Sequence, residues 1–497
     1  MSDLSHDPRT GAVAARTPTS TADQVRDVVA RATAAAPAIA DATPTARRRW
    51  LLAIADALEE SRVATELVRV ANRETALGEV RLTSELGRCA SQLRFYGDIA
   101  AEASYLRVTV DDATDTTPDL RRMQVPLGPV AVLGASNFPF AFGTLGNDTG
   151  SALAAGCPVV AKAHPAHPET SALLARVAAG ALAAAGAPEG AFGLVAGFEA
   201  GEALVRAPEI AAVAFTGSQH GGMAVWRLAN ERDAVIPVFA EMGTVNPAVM
   251  TTAAADRVEE IAAGFVGSFT LGAGQFCTKP GLLLAPTGYG VPAHVAAALH
   301  AARPTGWLLT EGIAAACATG VTELVDAGAE VIGRVTGPEQ GWSADATVLS
   351  VSATALKPGS RLLEECFGPV GLVAEYADAG ELAAVLGALQ GALAASVMSA
   401  GPEDPELPDL VAALVPLVGR VAVDDWPTGV AFTWAQQHGG PWPATTVPAA
   451  TSVGAAALDR FTRPVTWQST PDSALPHALR DDNPWRVPRR VNGRAAP

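Results

Sequence analysis

Pro129-Val-Ala-Val-Leu-Gly134 and Pro158-Val-Val-Ala-Lys162 are short apolar runs on either side of an Ala-rich segment, residues 147–155, and their spacing decides the fold. Each run is too short for a helix, rich in β-branched residues and continuous rather than alternating. That pattern predicts strands buried on both faces, with residues 147–155 as the helix between them. The rhythm continues downstream: a helix at 169–185, a strand at Ala191-Phe-Gly-Leu-Val195, a helix at 200–207 and a strand at Ala212-Val-Ala-Phe215. Strand–helix–strand units at this spacing predict an α/β protein, with a parallel sheet covered by helices on both faces.

Working outward, residues 20–104 are Ala-rich with apolar residues three and four apart, and read as helices. Thr43-Pro-Thr-Ala-Arg-Arg-Arg-Trp-Leu reads as a helix start, with a capping hydroxyl followed by proline. A second α/β series runs from near Glu241 to about Asp425. The tail from about Ser452 is rich in Pro, Trp and Arg and reads as irregular surface structure. Internal repeats and low-complexity linkers are not evident.

A chain of 497 residues exceeds what one core can fill, so two or three domains are expected. The net charge of −16 argues against nucleic acid or an anionic membrane as partner, but not against a small anionic substrate in its own pocket. Cysteines 89, 157, 277, 317 and 366 are unevenly spaced and form no C-x-x-C pair, so neither a disulfide framework nor a metal site is expected. The polar start Met1-Ser-Asp-Leu-Ser-His-Asp-Pro lacks a signal-peptide core, and the apolar runs are too interrupted to span a bilayer. A cytoplasmic location is the expectation.

The chemistry centres on Leu271-Gly-Ala-Gly-Gln-Phe-Cys277-Thr-Lys-Pro-Gly281, a cysteine among small residues, with an isolated carboxylate upstream in Phe239-Ala-Glu241-Met-Gly243. Glycines let a substrate approach the backbone and free the amides around the thiol. A thiolate is a strong nucleophile near neutral pH, and a nearby base activates it or a water. The alternative for Cys277 is a small buried hydrophobe. No G-x-G-x-x-G follows the first strand, where Gly134-Ala-Ser-Asn137 stands. Gly217-Ser-Gln-His-Gly221-Gly222 follows the strand ending at Phe215-Thr216 and offers a helix N-terminus to a phosphate, or else a tight connection. Lys162, at a strand end, points to the ligand crevice or to solvent.

Six motifs in order carry a resemblance to the aldehyde dehydrogenase superfamily over nearly the whole chain. They are Asn137-Phe-Pro139, Lys162-Ala-His-Pro165, Phe215-Thr-Gly-Ser218, Glu241-Met-Gly243, Gly274-Gln-Phe-Cys277 and Glu365-Cys-Phe367-Gly-Pro369. The resemblance implies a Rossmann-like nicotinamide domain (1–104 and 125–240), an α/β catalytic domain (241–430) and an oligomerisation element with the C-terminal tail (105–124 and 452–497). A homodimer or homotetramer follows from the same likeness. It implies Cys277 as nucleophile, Asn137 and the Cys277 N–H as oxyanion donors, and Glu241 as base for hydrolysis of the thioester. Glu365 and Phe367 are implied at the nicotinamide ribose and ring, and Lys162 at the adenosine ribose. Phe215, Thr216, Gly217, Ser218 and Gly222 are implied around the pyrophosphate.

Phe276-Cys277-Thr-Lys-Pro-Gly281, Asp425-Trp-Pro-Thr-Gly429, His438-Gly-Gly-Pro-Trp-Pro-Ala-Thr445 and Asp481-Asp-Asn-Pro484 resemble the 2-oxoglutarate semialdehyde (2,5-dioxopentanoate) dehydrogenases. The first three resemble, less closely, an NADP-dependent fatty aldehyde dehydrogenase of luminous bacteria, and residues 430–437 depart from the semialdehyde group. Pro165 stands where NAD-preferring members carry a ribose-binding glutamate. NADP is therefore expected to serve at least as well as NAD, with Lys162, His164 and Thr170 near its 2′-phosphate. The substrate expected is a small aldehyde bearing a carboxylate. Arg88 and Gln92, four apart on one helix face, would meet that carboxylate, and Phe138, Phe142 and Phe276 would wall the tunnel. The alternative for Arg88 is a solvated surface residue. A CoA-acylating relative is opposed by Glu241, and a non-catalytic binding protein by Cys277.

Overall fold

The computed structural model describes residues 2–496. The first sheet has five parallel strands in the order Phe192–Val195, Val159–Lys162, Val130–Leu133, Ala212–Gly217 and Val238–Met242. Helices Asn147–Ala155, Pro168–Ala184, Phe198–Arg206 and Gln219–Asn230 are the crossovers. Side-chain alternation splits the strands between two cores. Val130, Val132, Val159 and Ala161 join the core built with the N-terminal helices, whereas Ala131 and Val160 join the core on the opposite face. Both faces are covered, and so the runs are apolar throughout. The chain reverses direction across Val130–Leu133, whose neighbours are Val159–Lys162 on one side and Ala212–Gly217 on the other. The crevice at the carboxyl ends of these strands is where such sheets bind ligands.

Helices Ala22–Ala40, Pro44–Glu59, Ser61–Thr75 and Glu79–Glu102 fill the region read as helical. Thr43 caps the second, its Oγ1 accepting from the Ala46 N–H at 3.1 Å. A hairpin of Ser2–His6 with Val13–Pro18 precedes them; its mixed sequence gave no strand signal.

Two features differ from the sequence reading. Glu241 does not open the second series. Its strand, Val238–Met242, closes the first sheet, Glu241 pairing with Thr216. The second sheet begins at Pro247–Met250, after a short connector in which Asn246 takes φ 48°. Two apolar runs so close together carry no signal of which sheet each joins. The second sheet orders Glu330–Val335, Ala346–Ser352, Val370–Tyr376, Leu282–Pro286, Pro247–Met250, Ala392–Met398 and Val418–Val423, with only the first strand antiparallel.

The tail is the other correction: it is not wholly irregular. Thr462–Gln468, Arg489–Val491 and Arg494–Ala496 join Val108–Asp111 and Leu120–Pro126 in a third sheet, ordered Thr462–Gln468, Leu120–Pro126, Val108–Asp111, Arg489–Val491, Arg494–Ala496. These strands alternate polar and half-buried residues, so composition alone read as surface loop. Among the described residues no helix is long and apolar enough to cross a membrane.

Candidate active site

A cleft of about 1060 Å³ opens at the carboxyl ends of the first sheet. It runs from Lys162 and His164 past Gly217 and Ser218 to Asn137, Glu241 and Cys277, with Glu365 and Phe367 on its far wall.

The loop carrying Cys277 leaves helix Val258–Thr270 through three left-handed residues, Gly272, Ala273 and Gly274. A side chain at Gly274 would strike the Gly368 carbonyl, so the loop packs against the segment bearing Glu365 only because glycine stands there. Buried Gln275 pins the loop: its amide donates to the Gly272 and Trp307 carbonyls and accepts from the Leu309 N–H. The Asn246 amide donates to the Cys277 carbonyl at 2.8 Å and the Lys279 carbonyl at 3.1 Å. Lys279 is buried and donates to the Cys366 and Val370 carbonyls at 2.7 and 2.9 Å, tying the nucleophile loop to the segment with Glu365 and Phe367.

Cys277 is half-buried, with Sγ 3.7 Å from His438 Nε2. The same nitrogen lies 3.1 Å from Glu241 Oε1, and the Ser452 hydroxyl donates to Glu241 Oε2 at 2.8 Å. Burial pushes the thiol well above its ordinary range, and the charges of Glu241 and Glu365 push it the same way. Burial also works upward on Glu241, but the adjacent His438 and the hydrogen bond from Ser452 outweigh it and hold this carboxyl below its usual value. The pair is therefore a thiol facing an ionised carboxylate, with an imidazole touching both. Such a cluster can pass protons among its members, since the imidazole touches both the thiol and the carboxylate.

Asn137 is buried and its Nδ2 donates to the Gln275 carbonyl at 2.8 Å. An amide nitrogen carries two hydrogens, so one remains for an oxyanion. The loop bearing Asn137 is held from helix Glu79–Glu102. Glu85 Oε1 accepts from the Phe140 and Ala141 N–H groups, and Arg81 donates to the Asn137 carbonyl at 2.7 Å. Burial pushes Glu85 up to about 7.

Toward the cofactor end, Ser218 caps helix Gln219–Asn230, its Oγ accepting from the Gly221 N–H at 3.1 Å. Phe215, Thr216 and Gly217 border the cleft with it. Burial, then the neighbouring His167 and Lys162, hold His164 neutral and far below its ordinary value. Its Nδ1 accepts from the Ala166 N–H, which leaves Nε2–H as a donor. Burial pushes Glu365 up to about 7, against the pull of Lys279. Its Oε1 lacks a partner, and a side chain at Gly243 would collide with this carboxylate. An unpartnered acceptor, a half-buried lysine, a neutral donor and a capped helix start suit a dinucleotide lying along the cleft.

Two residues read as cofactor ligands do not face the cleft. Thr170 is buried, its hydroxyl and N–H both donating to Glu74 Oε2 at 2.7 and 2.8 Å. Gly222 lies on the inner side of its helix, packed against Met242 and Phe215. A hydroxyl near the start of helix Pro168–Ala184 and a glycine near the start of helix Gln219–Asn230 carry no mark of which way they point.

On the substrate side, the rings of Phe138 and Phe142 lie 5.5 Å apart and those of Phe138 and Phe276 5.1 Å apart. Arg88 is not solvated: its guanidinium stands 5.7 Å from the Phe142 ring and 5.8 Å from Phe432, and it donates to the Val430 carbonyl. Phe142 in turn meets His438 at 6.4 Å. Gln92 is buried and neither atom of its amide has a partner. Sequence reading missed Arg81, whose guanidinium sits 4.9 Å from Phe138 and 5.0 Å from Phe276, and it missed the role of His438. Arg81 shares the helix face of Arg88, a periodicity that was available. In the sequence the His438-Gly-Gly-Pro run marks only the branch. What brings it to the thiol is contact between its segment and the Glu241 strand, where Glu241 bridges Thr445 and Met242 N–H donates to the Ala444 carbonyl.

A family model described as the aldehyde dehydrogenase family matches residues 4–440. Alpha-ketoglutaric semialdehyde dehydrogenase 2 of Azospirillum brasilense is 44% identical over 461 residues, 90% of this chain and 87% of that protein. Alpha-ketoglutaric semialdehyde dehydrogenase of Acinetobacter baylyi is 38% identical over 447 residues, covering 88% and 85%. A crystal structure of NAD-dependent aldehyde dehydrogenase from Sinorhizobium meliloti superposes with a TM-score of 0.81 at 24% identity, covering 95% of this chain and 92% of that one. This last likeness concerns the fold.

Proposed function

We propose that this chain, which belongs to the aldehyde dehydrogenase family and is an oxidoreductase acting on aldehydes, converts 2-oxoglutarate semialdehyde to 2-oxoglutarate with a nicotinamide cofactor, NADP at least as readily as NAD. The observation that carries the chemistry is Cys277 Sγ beside His438 and Glu241 at the foot of the cleft. The substrate rests on the two semialdehyde dehydrogenases as relatives and on Arg88 beside the phenylalanine wall.

The Glu241–His438 pair takes the Cys277 proton as sulfur attacks the aldehyde carbon, which removes the obstacle of a thiol held protonated by burial. The free hydrogen of the Asn137 amide steadies the oxyanion. A nicotinamide, when bound, supplies the hydride acceptor; Lys162, His164, Ser218 and Glu365 would hold it. With the acyl group on sulfur, Glu241 deprotonates the water that releases the acid, oriented by the Ser452 hydroxyl. His164 supports NADP as a neutral donor that a 2′-phosphate accepts, and Pro165 brings no competing carboxylate. We read the protein as a cytoplasmic homo-oligomer, dimer or tetramer. The exposed edge of the third sheet, Thr462–Gln468, supports this reading, since an unpaired edge invites pairing.

The deciding experiment is a steady-state screen of purified protein against 2-oxoglutarate, succinate and glutarate semialdehydes and medium-chain aldehydes, each with NAD and NADP. The highest kcat/KM is expected for 2-oxoglutarate semialdehyde. A preference for long uncharged aldehydes would overturn the substrate assignment.

A further inference from the structure

We propose that Cys277, His438 and Glu241 together form a site for a thiophilic divalent cation of the zinc class, which masks the nucleophile and competes with aldehyde. A cation held by these three residues is not needed for aldehyde oxidation, so the site is inhibitory or protective in character.

The geometry points there directly. Sγ, a ring nitrogen and a carboxylate oxygen of these residues all lie within 4.8 Å of one another. In a tetrahedral zinc site, bonds of about 2.3 Å to sulfur and about 2.0–2.1 Å to nitrogen and oxygen set the ligands about 3.5 Å (S to N) and about 3.3 Å (N to O) apart. Here Sγ and Nε2 are 3.7 Å apart, and Nε2 and Oε1 are 3.1 Å apart. Two of the three ligand separations are thus within a few tenths of an ångström of a tetrahedral site, and the third, sulfur to carboxylate, lies within 4.8 Å. Thiolate, imidazole and carboxylate are the donor types zinc takes, and three protein ligands leave a fourth position open to the cleft for water.

The ligands are held in place by their neighbours. Glu241 Oε2 is engaged by Ser452, which leaves Oε1 buried without an aligned donor and facing the imidazole. The His438 backbone N–H donates to Thr451 Oγ1 at 2.8 Å, and the Cys277 carbonyl is fixed by Asn246, so the main chain carrying both ligands is held. The Ser452 contact is of the kind that orients a metal-binding carboxylate and raises affinity. The cleft reaches Glu241 and Cys277 from solvent, giving the ion a path. On binding, a metal–sulfur bond forms as the Sγ–H bond breaks and its proton leaves to solvent; nothing is oxidised or reduced. The ligands come from positions 241, 277 and 438, so cysteine spacing gave no sign of the site.

The test uses chelator-treated, full-length protein without aldehyde or cofactor, titrated with Co(II) as the spectroscopic probe. The expected result is one Co(II) per chain, with a near-ultraviolet sulfur-to-cobalt absorption and the visible bands of a four-coordinate ion, both displaced by Zn(II). Cys277→Ser should abolish the near-ultraviolet band, and His438→Ala and Glu241→Gln should each weaken binding by at least about tenfold. Wild-type protein alkylated with iodoacetamide gives the same readout without a substitution, since the other four cysteines are buried. Absence of stoichiometric uptake would overturn the proposal. So would affinity unchanged in both His438→Ala and Glu241→Gln, which would mean sulfur alone holds the ion. Because no aldehyde is present, the titration and the substrate screen fail independently.

Discussion

His438 Nε2 stands 3.7 Å from Cys277 Sγ and 3.1 Å from Glu241 Oε1, so one imidazole touches both the thiol and the carboxylate to which we assign the two halves of the reaction. The thiol needs this contact, because burial and two nearby carboxylates hold its proton on.

His438→Asn should therefore lower kcat/KM by on the order of a hundredfold, the ordinary worth of a positioned proton acceptor. The thiol pKa is raised, so the thiolate fraction is small at neutral pH and grows as pH rises, and kcat/KM should climb into the alkaline range. Without the imidazole the climb should begin at higher pH. A pH profile of kcat/KM for both proteins checks this, and superimposable profiles would contradict it.

Glu241→Gln keeps the shape and the Ser452 contact but removes the base for hydrolysis. Rapid mixing should record a burst of one reduced cofactor per active site, followed by turnover slowed on the order of a hundredfold. Full steady-state turnover without a burst would remove Glu241 from this role.

Arg88→Ala deletes the guanidinium beside Phe142 and Phe432. A charge-assisted contact to a carboxylate is worth about 1.5–3 kcal/mol, so kcat/KM for 2-oxoglutarate semialdehyde should fall about ten- to a hundredfold. An uncharged aldehyde of similar length should lose far less. Equal losses would assign Arg88 to holding the Val430 segment.

Lys279→Met strands two buried carbonyls, those of Cys366 and Val370. Leaving them unsatisfied should cost about 2–4 kcal/mol in a denaturant titration. The segment they hold carries Glu365 and Phe367, so KM for the cofactor should rise several-fold while KM for aldehyde changes little. A variant as stable as the parent, with an unchanged cofactor KM, would sever this link.

NADP should be used at least as well as NAD, on the strength of Lys162 and His164 in the cleft and Pro165 in place of a carboxylate. A preference for NAD of more than about tenfold, about 1.4 kcal/mol, would refute this.

The strands at Val130–Leu133 and Val159–Lys162, the cap at Thr43 and the helix Asn147–Ala155 were legible in the sequence because each depends on residues near one another in the chain. Burial on both faces writes a continuous apolar run, and a cap needs only a hydroxyl before a helix. The nucleophile loop was legible for a similar reason: closely packed backbone requires glycines, and Gly274 against Gly368 is such a place. Tertiary structure alone decided that the Glu241 strand closes the first sheet, that Thr170 turns to Glu74, that Arg81 and Arg88 lie among the phenylalanine rings, and that His438 reaches Cys277. Each of these depends on which chain segments cross and at what register, and side-chain direction follows from that crossing. Local periodicity records that a face is buried; the partner that buries it is chosen by the packing of the whole chain.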